Sequence, residues 1–211
     1  MNAAHRAILV ATTNAGKRDE LRALLGDLPC DLLIPADIGL GAFDVDETGD
    51  SFTANALLKA QAYAAQSGLP TLADDSGLVI AALNGEPGVY SARYAPTVAE
   101  RNAKVLTALH DTPTEQRDAY FVCVIAVTLP GGLTLLGEGR LHGRIGASPR
   151  GSFGHGYDPI FDLTAESDPT TDSAAVAGQA LAELDMTVKN RISHRARALN
   201  VVLPALRCLL F

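Results

Sequence analysis

The chain has 211 residues, of which 47% are hydrophobic and 19% are charged, and this balance excludes an intrinsically disordered protein. Its formal net charge of −7 argues against a protein that covers nucleic-acid phosphates along an extended basic face, so we expect no nucleic-acid partner. The length suits one large domain or two small lobes, and we predict a single domain over residues 1–211.

Cysteine usage and hydropathy indicate where the protein works. Cys30, Cys123 and Cys208 are widely spaced, and the sequence contains no CxxC pair. No stretch reaches the ~18 apolar residues of a membrane span, and the N-terminal residues lack a signal-peptide pattern. We therefore predict a cytoplasmic protein without a membrane segment.

The first apolar run leads into a polar turn. Residues 7–11 predict a buried strand, and the segment Thr12-Thr13-Asn14-Ala15-Gly16-Lys17 then opens a helix, with Asn14 or Thr13 as its N-cap. The free N–H groups of a helix N-terminus bind anions, and Lys17 in the first turn opposes the helix dipole unless an anion lies there. The pattern indicates either an anion site or an ordinary capped helix with a solvated lysine. It is not a Walker A loop.

An acidic loop and a helix follow a second short strand, which we predict over residues 30–35. The loop, residues 44–50, is either a solvated surface segment or a source of the oxygen ligands that Mg²⁺ prefers. Ser51 can cap a helix over residues 52–66, in which Lys59 is the only charged residue. A lysine at such a position either extends its ammonium group to solvent or directs it at a ligand.

The chain is organised around residues 71–95, where an apolar segment leads directly into two carboxylates, Asp74 and Asp75. Successive residues of a regular strand point to opposite faces, so both carboxylates can serve one site only if the strand ends there. Ser76 and Gly77 are suitable turn residues, and we predict that the strand ends and turns at this point. A structural turn between two strands is the alternative interpretation.

Further elements are predicted in the second half of the chain. A helix is expected over residues 97–110, and an antiparallel hairpin over residues 120–129 and 133–141, joined at Pro130-Gly131-Gly132. Residues 150–159 form a glycine-rich loop, in which glycines allow close approach of the backbone to a ligand. Its aromatic and imidazole rings suit stacking on a flat ring.

The last part of the chain predicts a surface segment and a final helix. Residues 164–177 are small and polar, which is typical of a surface loop. Ser193 is a suitable N-cap for an apolar helix over about residues 196–210, which would place His194 and Arg195 in its first turn.

Seven short segments occur in a fixed order along most of the chain, and each is a weak signal alone. They are residues 11–17 with Glu20, Glu47-Thr48-Gly49, Asn55-Ala56 with Lys59-Ala60, residues 73–77, residues 87–94, residues 156–161, and Lys189 with Ser193-His194-Arg195. Together they resemble the Ham1/inosine triphosphatase family, the house-cleaning nucleoside triphosphate pyrophosphatases, in its noncanonical purine branch.

The resemblance implies an α/β fold with a long central mixed β-sheet and flanking helices, in two lobes that enclose a nucleotide cleft. The implied activity is the hydrolysis of the triphosphates of inosine, deoxyinosine and xanthosine to the nucleoside monophosphate and pyrophosphate, which would cleanse the nucleotide pool. The resemblance also implies Mg²⁺ as the cofactor, with Mn²⁺ as a substitute, and a homodimer.

Roles of individual residues follow from the same resemblance. Asp75 is implied to be the general base that activates water, and Glu47, Asp74 and Asp75 are implied to surround the Mg²⁺. Residues 155–158 with His194 and Arg195 are implied to form the base pocket. The full set of implied substrate contacts is Thr12, Thr13, Asn14, Ala15, Gly16, Lys17, Lys59, Ser76, His155, Gly156, Tyr157, Asp158, Lys189, His194 and Arg195.

Three positions depart from the pattern of the family. Ala54 stands where Glu is common, which removes an acid near the metal loop, and Val188 stands where Glu is frequent. His155 stands where Phe or Trp is common, which leaves a smaller platform for base stacking.

Two other functional classes compete with this interpretation. A non-catalytic nucleotide sensor would keep the phosphate loop but would need no paired acids. An aspartyl-phosphate phosphatase also carries acids at the end of a strand, but its chemistry uses an Asp-x-Asp spacing that the adjacent Asp74 and Asp75 lack.

Overall fold

The structure is a computed structural model that describes residues 7–167 and 176–210. Its strands are β1 (Ala7–Val10), β2 (Asp31–Leu33), β3 (Thr71–Ile80), β4 (Asp118–Thr128), β5 (Thr134–Ile145) and β6 (Phe161–Asp162). The α-helices bounded within the described residues are α1 (Ala15–Leu25), α2 (Phe52–Ser67), α3 (Val98–Ala108), α4 (Met186–Ile192) and α5 (His194–Leu210).

The six strands form one mixed sheet in the order β2-β1-β3-β4-β5-β6. Strand β1 pairs in parallel with β2 and β3, whereas β5 and β6 pair antiparallel. Strands β4 and β5 are neighbours joined by a turn in which the Leu129 N–H donates to the Leu133 carbonyl at 2.8 Å. Such a short connection is possible only between antiparallel strands, so the predicted hairpin is confirmed. The predicted α/β fold with a mixed sheet is confirmed as well.

The chain divides into two compact units. Unit 1 comprises the described residues within Met1–Asp75, Cys123–Gly139 and Arg195–Phe211, and unit 2 those within Ser76–Val122 and Arg140–His194. Strands β3, β4 and β5 each contribute residues to both units.

In unit 1, alternate residues of the strands belong to two different apolar clusters, as the pleat of a strand requires. Leu72 of β3 and Ile125 of β4 pack with residues of α1 and α5 in one cluster. Ala73 of β3 and Val124 of β4 pack with residues of α2 in the other. Helices therefore cover both faces of the sheet in this unit, and the two faces of β3 meet different helices.

Unit 2 has one large apolar cluster. It combines Leu78 and Ile80 of β3 with Val105 of α3, Phe121 of β4 and, among others, Phe161 of β6. This packing explains why one sequence-based prediction was wrong. The strand does not end at Asp74 and Asp75, because burial of Leu78 and Ile80 continues β3 through the turn-forming residues to Ile80.

Other boundaries differ from the predicted ones by a few residues. The final helix begins at His194, so His194 and Arg195 do lie in its first turn. The predicted surface segment, residues 164–177, lies partly outside the described residues.

Candidate active site

The first predicted site element is the turn between β1 and α1. The Asn14 side chain caps α1 by accepting from the Lys17 N–H at 3.1 Å, and Thr12 Oγ1 accepts from the Asn14 N–H at 3.3 Å. The predicted cap is therefore confirmed. The first turn of α1 contains no acidic residue, so the positive end of the helix and Lys17 are combined at one place. Such an arrangement favours an anion.

The two adjacent carboxylates lie on opposite faces of the sheet. Asp74 contacts Lys17 of α1 and Arg195 of α5, on the face where Leu72 packs. Asp75 contacts Asn55 and Lys59 of α2, on the face where Ala73 packs. An unbroken strand thus separates the two acids that the sequence places side by side.

A compact polar group surrounds Asp75. Its Oδ2 accepts from Asn55 Nδ2 at 3.2 Å, and its Oδ1 lies 3.6 Å from Lys59 Nζ. The same ammonium group lies 2.5 Å from Glu47 Oε1 of the acidic loop. Loop, helix and strand therefore deliver Glu47, Lys59 and Asp75 to one place.

Asn55 connects the acidic loop to this group. Its side chain is fully buried, and its Oδ1 accepts from the Gly49 N–H at 2.8 Å while its amide nitrogen donates to Asp75. A Cβ at Gly49 would lie 2.6 Å from Ala54 Cβ and 2.7 Å from Asn55 Oδ1. Only glycine permits this close approach, so Gly49 and Asn55 together set the position of the loop that carries Glu47.

The surroundings tune Asp75 as a proton acceptor. Burial raises the pKa of its carboxyl group, Glu47 adds to this effect, and Lys59, Lys17 and Asn55 oppose it. Burial would lower the pKa of Lys59, but Asp74, Asp75 and Glu47 outweigh it and raise that pKa, so the amine stays protonated. A buried carboxylate with a raised pKa is a stronger base than an exposed one.

Asp74 lies in a buried ion-pair network. Its Oδ2 is 3.0 Å from Lys17 Nζ and 3.3 Å from an Arg195 nitrogen, and Arg195 also pairs with Glu20. Burial alone would raise the pKa of Asp74, but Lys17, Arg195 and then Lys59 outweigh it and hold this pKa far below its usual range.

Burial, with a further contribution from Asp74, raises the pKa of the nearby Cys123 thiol to about 12, so this cysteine is inert.

The arrangement of carboxylates limits how a metal can bind. Within residues 7–167 and 176–210, no group of three His, Cys, Asp or Glu side chains is placed to hold an ion. Glu47 and Asp75 do share one cation, the Lys59 ammonium group, whereas Asp74 lies across the strand. Two carboxylates completed by phosphate oxygens and water suit Mg²⁺, which rarely uses an all-protein cage.

A second polar cluster lies in unit 2, in the glycine-rich loop. Asp158 Oδ2 accepts from Lys189 Nζ at 2.6 Å and from the His155 N–H at 2.9 Å, and both charged groups are buried. The Tyr157 hydroxyl donates to the Ser91 carbonyl at 2.8 Å. A Cβ at Gly154, where φ is +79°, would lie 2.2 Å from Asp158 Oδ2, so the loop closes tightly over the ion pair.

The structure brings together only some of the residues that the resemblance assigns to the site. Unit 1 holds residues 12–17, Glu47, Lys59, Asp74, Asp75 and Arg195; unit 2 holds Ser76, residues 155–158, Lys189 and His194. The ammonium group of Lys189, expected to contact phosphate, pairs with Asp158. Arg195, expected in the base pocket, is 1% exposed and pairs with Glu20 and Asp74. His194 is buried and stacks on the Phe121 ring at 4.9 Å.

Sequence reasoning missed the roles of Glu20 and Asn55. Glu20 is next to Leu21 in α1, and both are buried. The position of an acidic residue beside the apolar stripe of the helix was the one sequence signal that Glu20 is buried and needs a partner. Asn55 lies among the small apolar residues of α2, where a buried amide requires partners. Neither signal identifies the partner.

Comparison with known proteins places the chain in a family. The model of the Ham1 family matches residues 8–205, and the chain belongs to this family. A dITP/XTP pyrophosphatase of Geobacter sulfurreducens is 46% identical over 195 residues, which cover 91% of this chain and 92% of the relative. A dITP/XTP pyrophosphatase of Symbiobacterium thermophilum is 44% identical over 208 residues and 97% of each chain.

Solved structures show the same fold. A HAM1 protein from Coxiella burnetii has a TM-score of 0.80 at 41% identity and covers 95% of this chain and 98% of its own. The Staphylococcus aureus Ham1 protein also has a TM-score of 0.80, at 35% identity, and covers 97% of this chain and 100% of its own. In the described part of the chain, no helix has the length and apolar character needed to cross a membrane.

Proposed function

We propose that this protein hydrolyses noncanonical purine nucleoside triphosphates, those of inosine, deoxyinosine and xanthosine, to the nucleoside monophosphate and pyrophosphate. One observation carries the proposal: a buried carboxylate with a raised pKa, Asp75, shares a cation with Glu47 in a chain of the Ham1 family. A binding sensor has no need of such a base. The names of the dITP/XTP pyrophosphatases to which the chain is similar support the substrate class.

Asp75 is the proposed general base. Asn55 holds one of its oxygens, which leaves the carboxylate oriented beside Lys59 and Glu47. In the proposed step Asp75 takes a proton from water, the water oxygen attacks the phosphorus nearest the nucleoside, and pyrophosphate leaves with the bonding electron pair. Glu47 and Asp75 are the residues that would hold Mg²⁺, or Mn²⁺ in its place, and the ion when bound would neutralise charge on the triphosphate.

The N-terminus of α1 is the proposed triphosphate contact. The backbone of residues 12–17 can donate to phosphate oxygens, and Lys17 adds a positive charge that Asp74 anchors at 3.0 Å. Because Arg195 pairs with Asp74 within the core and is itself paired with Glu20, we assign Arg195 and Glu20 to positioning Lys17 and not to direct substrate contact.

Residues 155–158 of unit 2 are the proposed contact to the purine base of the substrate. The Asp158–Lys189 pair fixes the backbone of this loop, so we assign Lys189 a structural role there. The homodimer is a proposal that rests on the family resemblance, and the cytoplasmic location is a proposal that rests on the widely spaced cysteines without a CxxC pair.

Product analysis tests the function directly. The protein is incubated with Mg²⁺ and a panel of nucleoside triphosphates, and products are separated by ion-exchange chromatography. We expect inosine and xanthosine triphosphates to give monophosphate and pyrophosphate much faster than adenosine triphosphate does. Release of diphosphate and phosphate, or binding without turnover, would contradict the proposal.

A further inference from the structure

We infer that Lys59 changes partners when the enzyme binds its metal: without metal the ammonium group pairs with Glu47 and Asp75, and metal binding releases it to the phosphates of the substrate. Lys59 then couples the binding of metal to the binding of triphosphate. This inference rests on the proposed metal-dependent hydrolysis of triphosphates.

The ammonium group of Lys59 lies where a metal ion would lie, beside the carboxylates of Glu47 and Asp75. Lys59 Nζ lies 2.5 Å from Glu47 Oε1 and 3.6 Å from Asp75 Oδ1, the two carboxylates expected to hold the metal. The other Asp75 oxygen already accepts from Asn55 Nδ2 at 3.2 Å. The Lys59 side chain is only 14% exposed, so its charge is directed at these partners and not at solvent. A metal entering between the same carboxylates must therefore compete with Lys59.

Charge balance gives the direction of the exchange. Two carboxylates and one ammonium group carry a single net negative charge, which attracts a divalent cation. Once the cation is bound, the group is net positive, and Lys59 has lost its carboxylate partners and is repelled by the ion. The phosphates of the substrate supply the negative charge that Lys59 then lacks. The ammonium group ends a flexible four-carbon chain, so it can move while the backbone of α2 stays in place.

The exchange has a thermodynamic consequence. Metal makes Lys59 available to phosphate, so metal and triphosphate bind with positive coupling, and by linkage each strengthens the binding of the other by the same factor. In the metal-free protein Lys59 contributes little to phosphate binding. This arrangement favours the metal-bound triphosphate over either component alone.

Lysine-selective acylation measures the release of Lys59 without any nucleotide. The sequence contains four lysines, Lys17, Lys59, Lys104 and Lys189, so each can be followed separately by peptide mass spectrometry. We expect the acylation rate of Lys59 to rise several-fold when Mg²⁺ or Mn²⁺ is added. Lys104, an exposed residue that lies 3.8 Å from the Tyr94 ring centroid, should be unaffected. A Lys59 rate that stays constant or falls would overturn the inference.

Metal affinity gives a second, independent test. Free Mn²⁺ is measured by electron paramagnetic resonance for the wild type, for Lys59→Met and, as a control that removes the same charge elsewhere, for Lys104→Met. Because the competing ammonium group is gone, Lys59→Met should bind Mn²⁺ about tenfold more tightly or better, whereas Lys104→Met should match the wild type. Equal Mn²⁺ affinity of wild type and Lys59→Met would overturn the inference, and Lys59→Gln repeats the test if the methionine variant does not fold.

Neither the acylation test nor the Mn²⁺-binding test uses substrate, and neither depends on catalytic activity. Failure of the exchange therefore shows as unchanged Lys59 acylation and unchanged Mn²⁺ affinity in a protein that still makes monophosphate and pyrophosphate. Failure of the proposed function shows as the wrong products, whatever Lys59 does.

Discussion

Asp74 and Asp75 are neighbours in β3, yet their carboxylates serve opposite faces of the sheet. Asp74 Oδ2 lies 3.0 Å from Lys17 Nζ of α1, and Asp75 Oδ2 accepts from Asn55 Nδ2 of α2 at 3.2 Å. The pKa of Asp74 is lowered by neighbouring cations, while that of Asp75 is raised by burial. One acid is therefore part of the core and the other is available for chemistry, and single substitutions should separate the two roles.

Asp75→Asn should remove activity without weakening the fold. Because burial raises the pKa of Asp75, its ionised form costs stability at a pH above that pKa, and this cost disappears as the pH falls below the unfolded-state pKa. A neutral asparagine avoids the cost. We expect kcat to fall by about 10²–10⁴-fold, the range for loss of a general base, and the urea midpoint at pH 7 to stay level or rise. Near wild-type turnover would exclude Asp75 as the base.

Asp74→Asn should destabilise the protein in a pH-dependent manner. The folded-state pKa of Asp74 lies below the unfolded value of about 3.9, so its stabilising effect is present above that value and is lost as the pH falls. Leaving Lys17 and Arg195 without this partner should lower the free energy of unfolding at pH 7 by about 3–5 kcal/mol. Urea denaturation should show the difference from wild type narrowing below about pH 4.

Asp118→Asn is the matched control for Asp74→Asn. Asp118 pairs with Arg144 at 3.0 Å, but the carboxylate is exposed, so its loss should cost only about 0–1 kcal/mol. Equal effects of the two substitutions at pH 7 would mean that the buried network around Asp74 contributes no more than a surface pair.

Arg195→Lys should slow all substrates alike. The guanidinium group is paired with Glu20 and Asp74. It therefore affects the reaction by holding Asp74, which positions Lys17, and not by contacting the purine base of the substrate. We expect kcat/KM for inosine and adenosine triphosphates to fall by the same factor, and Glu20→Gln combined with Arg195→Lys to cost less than the sum of the single effects. If the ratio of kcat/KM for inosine triphosphate to kcat/KM for adenosine triphosphate instead moves toward one, Arg195 contacts the purine base.

Gly154→Ala should be far more damaging than Gly156→Ala. Both glycines have positive φ, +79° and +65°, so both substitutions carry a similar backbone cost of roughly 1 kcal/mol. Only the Cβ at position 154 would meet other atoms, at 2.2 Å from Asp158 Oδ2 and 2.8 Å from Lys189 Nζ. The thermal unfolding temperature should therefore fall much further for Gly154→Ala than for Gly156→Ala. The reverse order would show that the buried Asp158–Lys189 pair does not constrain this loop.

Local signals explain which elements could be predicted from the sequence. Asn14 and Ser51 cap α1 and α2 as expected, because a capping side chain bonds to backbone two or three residues away. The course of β3 could not be predicted in this way, since Ser76 and Gly77 favour a turn by themselves. Tertiary burial of Leu78 and Ile80 overrides that preference.

The site was less predictable, because its partners are distant in sequence. The carboxylate of Glu20 and the guanidinium group of Arg195 are separated by 175 positions, and no periodicity or spacing encodes such a pair. The resemblance drew attention to Glu47, Lys59 and Asp75, and the structure brings these three side chains together. It could not show that Arg195 and Lys189 are neutralised within the fold, because a motif records residue types and not their contacts.

The long sequence separation within the buried network also bears on how the protein is made. Translation proceeds from the N-terminus, so Glu20 and Asp74 leave the ribosome well before Arg195, which follows Asp74 by 121 positions. Until then the nascent chain has Lys17 but lacks the guanidinium group that pairs with both acids in the mature core. Closing α1 over β3 would bury charges that the chain cannot yet balance. Unit 1 can therefore complete this buried network only after a side chain that follows Asp74 by 121 positions has been synthesised.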